Sequence, residues 1–190
     1  MPAADPDIAD FLQHMQHVRN LSPHTLRAYT GDLVHFTGWL TSCGVTRVAA
    51  VDRDTLRSYA MALHSQLAPS SVGRRLATIR SLFKHLRRIG SIDADVTVGL
   101  RNPKKASVLP NVLSVEEVLA LLRLAPGPRD DRIAHRDRAL LELIYGAGVR
   151  VSEAVGLNVG DVDLPQRQAK VMGKGRKERF TPFGEHAEHA

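Results

Sequence analysis

The chain has 190 residues, 43% of them hydrophobic and 24% charged, with a formal net charge of +6. That is enough for one large globular domain or two small ones, and no apolar run approaches the ~20 residues of a membrane-spanning helix. The acidic start, Met1 to Asp10, has no signal-peptide core, and the one cysteine, Cys43, excludes an intramolecular disulfide and a multi-cysteine zinc site. A cytoplasmic protein is the expectation.

The charge is unevenly placed. Residues 1–105 carry 14 Lys/Arg against 8 Asp/Glu, whereas residues 106–190 carry 12 of each. A basic half points to a polyanion, either nucleic acid or an anionic membrane surface. The same charge also reads as an ordinary solvated surface.

In chain order, the first hundred residues predict four helices in a small bundle. Ile8, Phe11, Leu12, Met15 and Val18 recur at helical spacing. Ser22-Pro23 is a cap followed by a proline at the first helical position, and Leu26, Tyr29, Leu33, Phe36 and Leu40 continue that helix. Asp52 caps a third helix, with Leu56, Tyr59, Ala60 and Leu63 as its buried stripe. The fourth, Ser71 to Ile89, carries an apolar seam of Val72, Leu76, Ile79, Phe83 and Leu86. Arg80, Lys84 and Arg87 each follow a seam residue by one position, a stripe ~100° around the helix. With Arg74, Arg75 and Arg88 this makes six positive charges and no acid over 71–90. Such a helix suits a phosphate backbone or a major groove. A membrane-surface role is disfavoured, because the apolar seam is needed inside the bundle.

Residues 99–112 break the periodicity with two prolines and three basic residues, and read as an interdomain linker. Ser114 and Glu117 then predict a capping box with Leu113 as its staple. A helix from Arg132 to Tyr145 follows, ending at Gly146, Gly148 and Arg150, and a short helix opens with Ser152 and Glu153. Residues 161–164, 168–172 and 178–181 read as three short strands, with turns at Pro165-Gln166 and Gly173-Lys174-Gly175. Alone, Arg150 also reads as a helix-start residue paired to Glu153, and Lys174 as a turn lysine between glycines.

The strings S-P-H-T-L-R-A-Y-T-G-D-L (22–33), S-S-V-G-R-R-L-A-T-I-R-S-L-F (70–83), R-D-R-A-L-L-E-L-I-Y-G-A-G-V-R-V-S-E (136–153) and G-K-G-R-K-E-R-F-T-P-F-G (173–184) together resemble the tyrosine site-specific recombinases, Xer type, over residues 10–183. The resemblance implies a mainly α fold with a small antiparallel sheet (α+β). It divides the chain into a SAM-like core-binding domain (1–98), a linker (99–112) and the first half of a catalytic domain (113–190). It implies site-specific recombination of double-stranded DNA through a 3′-phosphotyrosine intermediate, by tetramers that include a second recombinase, in chromosome-dimer resolution or DNA integration. It also implies that neither metal nor cofactor takes part, so that protein cations must neutralise the phosphoryl oxygens.

On that resemblance Arg150 is the first phosphate-clamping arginine, whose planar fork holds two oxygens as a lysine cannot. Lys174 is the general acid for the leaving 5′-oxygen, and Glu153 supports Arg150 within one helical turn. Arg176 and Lys177 grip the DNA backbone, together with Arg27, Arg74, Arg75, Arg80, Lys84, Arg87, Arg88, Lys104 and Lys105.

The same resemblance calls for a later His-x-x-Arg, a further His or Trp, and a nucleophilic tyrosine. None follows Lys174 in these residues. The strings His24–Arg27, His85–Arg88 and His135–Arg138 all precede Arg150 and read as surface residues or backbone contacts. Tyr29, Tyr59 and Tyr145 read as structural. The sequence therefore predicts a catalytic domain cut about halfway, inactive alone; the alternative is a non-catalytic DNA-binding remnant of a mobile-element integrase. Glu185, His186, Glu188 and His189 have metal-ligand chemistry at a spacing that fits no metal motif.

Overall fold

The computed structural model describes residues 5–104, 109, 111–124, 131–173, 175 and 177–190. The chain forms two compact units, residues 1–108 and 109–190.

The first unit is helical. Helices α1 (Pro6–His17), α2 (Pro23–Ser42), α3 (Arg53–Gln66) and α4 (Pro69–Ile89) are joined by short turns and one 3₁₀ turn at Val48–Ala50. Their starts follow local chemistry. The Ser22 hydroxyl accepts from Thr25 N at 3.2 Å and the Asp52 carboxylate from Thr55 N at 2.8 Å, each satisfying an orphan amide of the first turn. α4 starts earlier than the sequence suggests, at Pro69, because proline favours the first helical position. It ends at Gly90, whose φ of +78° suits a residue without Cβ. Val18 falls outside the predicted apolar stripe: it lies past the end of α1 and is exposed.

The apolar stripes meet in one core. Ile8, Phe11, Leu33, Phe36, Leu56, Tyr59, Leu63, Leu76, Ile79, Leu82, Phe83 and Leu86 are fully or almost fully buried. Burial of each large side chain stabilises the fold by ~1.5–3 kcal/mol, before the opposing chain entropy.

The second unit contains α5 (Val115–Leu124), α6 (Asp131–Ala147), α7 (Val151–Val155), a three-stranded sheet and α8 (Glu185–His189). The capping box forms as predicted, Ser114 N donating to Glu117 Oε2 at 2.7 Å and Glu117 N to Ser114 Oγ at 3.2 Å. The strands β1 (Val162–Asp163), β2 (Gln168–Met172) and β3 (Glu178–Pro182) run antiparallel in the order β1-β2-β3. Alternation puts Ala169 and Val171 of β2 in the core with Val149, Ala154 and Phe183, against Leu140, Leu143 and Ile144 of α6. Among the described residues, no helix is long and apolar enough to cross a membrane.

Candidate functional site

The turn after α6 presents Arg150. Leu140, Leu143 and Ile144 anchor that helix on the core, and the Thr181 hydroxyl on β3 donates to the Ala147 carbonyl at 2.9 Å. Gly148 follows with φ +60°, a left-handed turn that a Cβ would strain. Val149 turns inward and Arg150 becomes the N-cap of α7, with a 67% exposed side chain.

Glu153, one turn on, has a side chain only 3% exposed. Its carboxylate accepts four hydrogen bonds. Arg150 N donates to Oε2 and Arg150 Nη1 to Oε1, both at 2.9 Å. Arg179 of β3 adds a fork, Nη1 to Oε1 at 3.0 Å and Nη2 to Oε2 at 2.7 Å. The Arg179 fork, then the Arg150 amide, hold the Glu153 carboxyl at a pKa of about 2 against an ordinary 4.5. One carboxylate between two guanidiniums leaves the cluster a net cation. Among the described residues, the other N–H donors of Arg150 have no protein partner, an arrangement that can hold an oxyanion.

The β2–β3 hairpin rises beside this cluster. Val171 is in register with Arg179 and Met172 with Glu178, and Gly173 N donates to the Lys177 carbonyl at 2.8 Å. A Cβ added at Gly173 would lie 3.0 Å from Arg179 Nη1 and 3.3 Å from the Lys177 carbonyl, so the neck is tight. Lys177 is exposed. Lys174 and Arg176, like Lys105 in the other unit, lie outside the described residues.

In the first unit, most basic residues predicted to face a polyanion also have internal partners. Arg74 donates to Asp32 Oδ2 at 2.5 Å, and the Thr78 hydroxyl donates to the same oxygen at 2.9 Å. Arg75 is turned inward, with Nε 3.7 Å from Asp32 Oδ1. Arg80 donates to the Leu100 carbonyl and to Asn102 Oδ1, both at 2.8 Å, which fastens the start of the predicted linker to α4. Arg27 bonds His24 Nδ1 at 3.0 Å. Lys84, Arg87 and Lys104 are exposed and, among the described residues, unpaired. Lys84 and Arg88 line a cleft of about 270 Å³ with His14, Arg19, Tyr29 and Ser81.

One reading of the His-x-x-Arg strings needs correction. His85 is buried rather than on the surface: its Nε2 bonds Asp10 Oδ2 at 2.6 Å and its Nδ1 bonds Arg88 Nη2 at 2.8 Å. An arginine can only donate, so Nδ1 is the unprotonated nitrogen and Nε2–H faces the carboxylate. Two of the tyrosines are held by packing. Tyr59 is fully buried, and burial pushes its hydroxyl up to about 12 although Arg75 lies beside it. Tyr29 stacks on Phe11 with ring centres 6.1 Å apart. Tyr145, in the last turn of α6, is 56% exposed and precedes Arg150. Among the described residues, no cluster of His, Cys, Asp and Glu is arranged to hold a metal; Glu188 instead bonds Arg167 at 2.6 Å.

Several members of these networks have no role that the sequence announces, Arg179, Asp32, Thr78 and Asp10 among them. Arg179 is 26 positions from Glu153, and Asp32 is 42 from Arg74. No local spacing announces such pairs. The available signal is chemical: a glutamate on the buried side of a short helix needs more cationic partners than one exposed arginine supplies.

Comparison with known proteins gives a consistent pattern. Residues 8–90 match the N-terminal SAM-like domain of phage integrases, and residues 111–190 match the phage integrase family. The chain is 40% identical over 185 residues to tyrosine recombinase XerC of Pelobacter propionicus, covering 96% of this chain and 61% of that protein. It is 38% identical over 179 residues to tyrosine recombinase XerD of Bifidobacterium longum, covering 93% and 58%. The chain thus spans about three fifths of the length of these relatives. In fold it is similar to XerH site-specific recombinase bound to palindromic difH substrate (TM-score 0.69, 17% identity, covering 95% of this chain and 55% of that one). It is likewise similar to a lambda integrase tetramer bound to a Holliday junction (TM-score 0.70, 16% identity, 92% and 50%).

Proposed function

Because the chain belongs to the phage integrase family of tyrosine recombinases, Xer type, we propose that it grips duplex DNA and carries the Arg150 part of a phosphoryl-transfer site. The reaction is site-specific recombination through a 3′-phosphotyrosine. Residues 1–98 bind DNA, 99–112 link, and 113–190 form part of the catalytic domain. The observation that carries this reading is Arg150, exposed at a helix start yet held through a buried carboxylate.

Each residue type suits its task. In-line attack on a phosphodiester builds charge on the non-bridging oxygens, and a preorganised guanidinium stabilises it without rearranging. Lys174, which lies between β2 and β3 in the sequence, donates the proton that the leaving 5′-oxygen needs. Glu153 restrains Arg150. Lys84, Arg87, Lys104, Lys105, Arg176 and Lys177 contact phosphates, as do Arg27, Arg74, Arg75, Arg80 and Arg88. A tetramer with a second recombinase is the assembly proposed for the full reaction.

Within these 190 residues the tyrosines are 29, 59 and 145. The packing of Tyr29 and Tyr59, and the position of Tyr145 before the clamp, support DNA binding without strand cleavage by this chain alone. The test is a nicked suicide duplex. Salt-sensitive binding with no covalent adduct is the expected result. A protein–DNA adduct would overturn the claim of no nucleophile, and absence of duplex binding at low salt would overturn the DNA reading.

A further inference from the structure

The four bonds to Glu153 are not shared equally. Arg179 takes both oxygens with its fork, 3.0 and 2.7 Å, while the Arg150 side chain has one bond of 2.9 Å. A buried carboxylate seeks full compensation, and a bidentate guanidinium is the strongest partner available to it. If Arg179 were absent, Arg150 would be the guanidinium left to supply that fork. The site would then change from net positive to neutral, and Arg150 would be pinned against α7.

We infer that Arg179 is a positioning residue for the phosphate clamp: by occupying both Glu153 oxygens it keeps that carboxylate from closing on Arg150, whose outer donors stay available to a phosphate. It rests on the reading of Arg150 as a phosphate ligand. The same fork ties the neck of the β2–β3 hairpin to the clamp, since Arg179 is paired with Val171 and packs against Gly173. Arg179 acts through Glu153, so its loss is relieved by removing the Glu153 charge. A residue that only stiffened the sheet would show no such relief.

The experiment follows the Arg150 Nε–H signal of the ¹⁵N-labelled full chain by NMR during titration with inorganic phosphate at constant ionic strength. R179M is expected to weaken phosphate binding at Arg150 about tenfold, the ratio that corresponds to 1.4 kcal/mol. The double variant E153Q/R179M is expected to recover to within about twofold of the parent, with the carboxylate trap gone. R179K, which restores charge without a fork, is expected to stay weak. β2–β3 amide shifts report whether each variant keeps the sheet; if R179M loses it, R179Q takes its place in the comparison. Unchanged phosphate affinity in the single variant, or a double variant no better than the single, overturns the inference. So does an Arg150 signal that phosphate does not move in the parent, even if duplex DNA still binds through the first unit; loss of that duplex binding would instead count against the DNA reading.

Discussion

At the residue level, the bonds to the Glu153 carboxylate make the second unit sensitive to acid. Its carboxyl has a pKa of about 2 when folded and an ordinary value of 4.5 when not, so the unfolded chain binds the proton more readily. The stabilisation is complete above pH 4.5 and is lost as pH falls from there toward 2. Hydrogen exchange of the β2–β3 amides is expected to accelerate over that window. In Glu153→Gln, whose amide does not titrate, it should accelerate less there and start from lower protection at neutral pH. Equal pH dependence in the two proteins would remove Glu153 from this role. His85 carries a similar lesson: its sequence places it in a basic string, while Asp10 and Arg88 assign each ring nitrogen a different partner.

At the scale of elements, caps and turns depend on neighbours three or four positions away and so are readable from sequence. Ser22, Asp52 and Ser114 cap the helices expected of them. Two glycines separate the effects of backbone and space. Gly90 ends α4 at φ +78° and Gly38 lies inside α2, and an added Cβ would meet nothing within 4 Å at either. Gly90→Ala is expected to cost ~1 kcal/mol from the left-handed conformation alone. Gly38→Ala is expected to stabilise by ~0.5–1 kcal/mol. Denaturant unfolding followed by Trp39 fluorescence checks both; the same sign at the two sites would refute the backbone argument.

At the scale of the whole molecule, the charge excess lies in residues 1–105, yet much of it on α4 is already engaged. Arg74, Arg75, Arg80 and Arg88 have partners within the unit, whereas Lys84 and Arg87 are exposed and, among the described residues, have none. The double variant Lys84→Ala/Arg87→Ala is therefore expected to lower the slope of log K against log salt for duplex binding by about 2, roughly 0.9 per lost phosphate contact. Folding stability should hardly change. An unaltered slope would move the interface elsewhere on the molecule.

The helical first unit, the three strands after Arg150 and the Arg150–Glu153 pair are all legible along the chain. Each rests on periodicity or on a short separation along the chain: i to i+3 for a cap, 3.6 for a helix face, 2 for a strand. By contrast, Arg179 shares Glu153, Asp32 holds Arg74 and Thr78, and His85 is buried against Asp10 through contacts that exist once the chain is folded. Those partners are 26 to 75 positions apart. A buried charge takes its counter-charge from whichever element folding brings alongside, and that choice has no period along the chain.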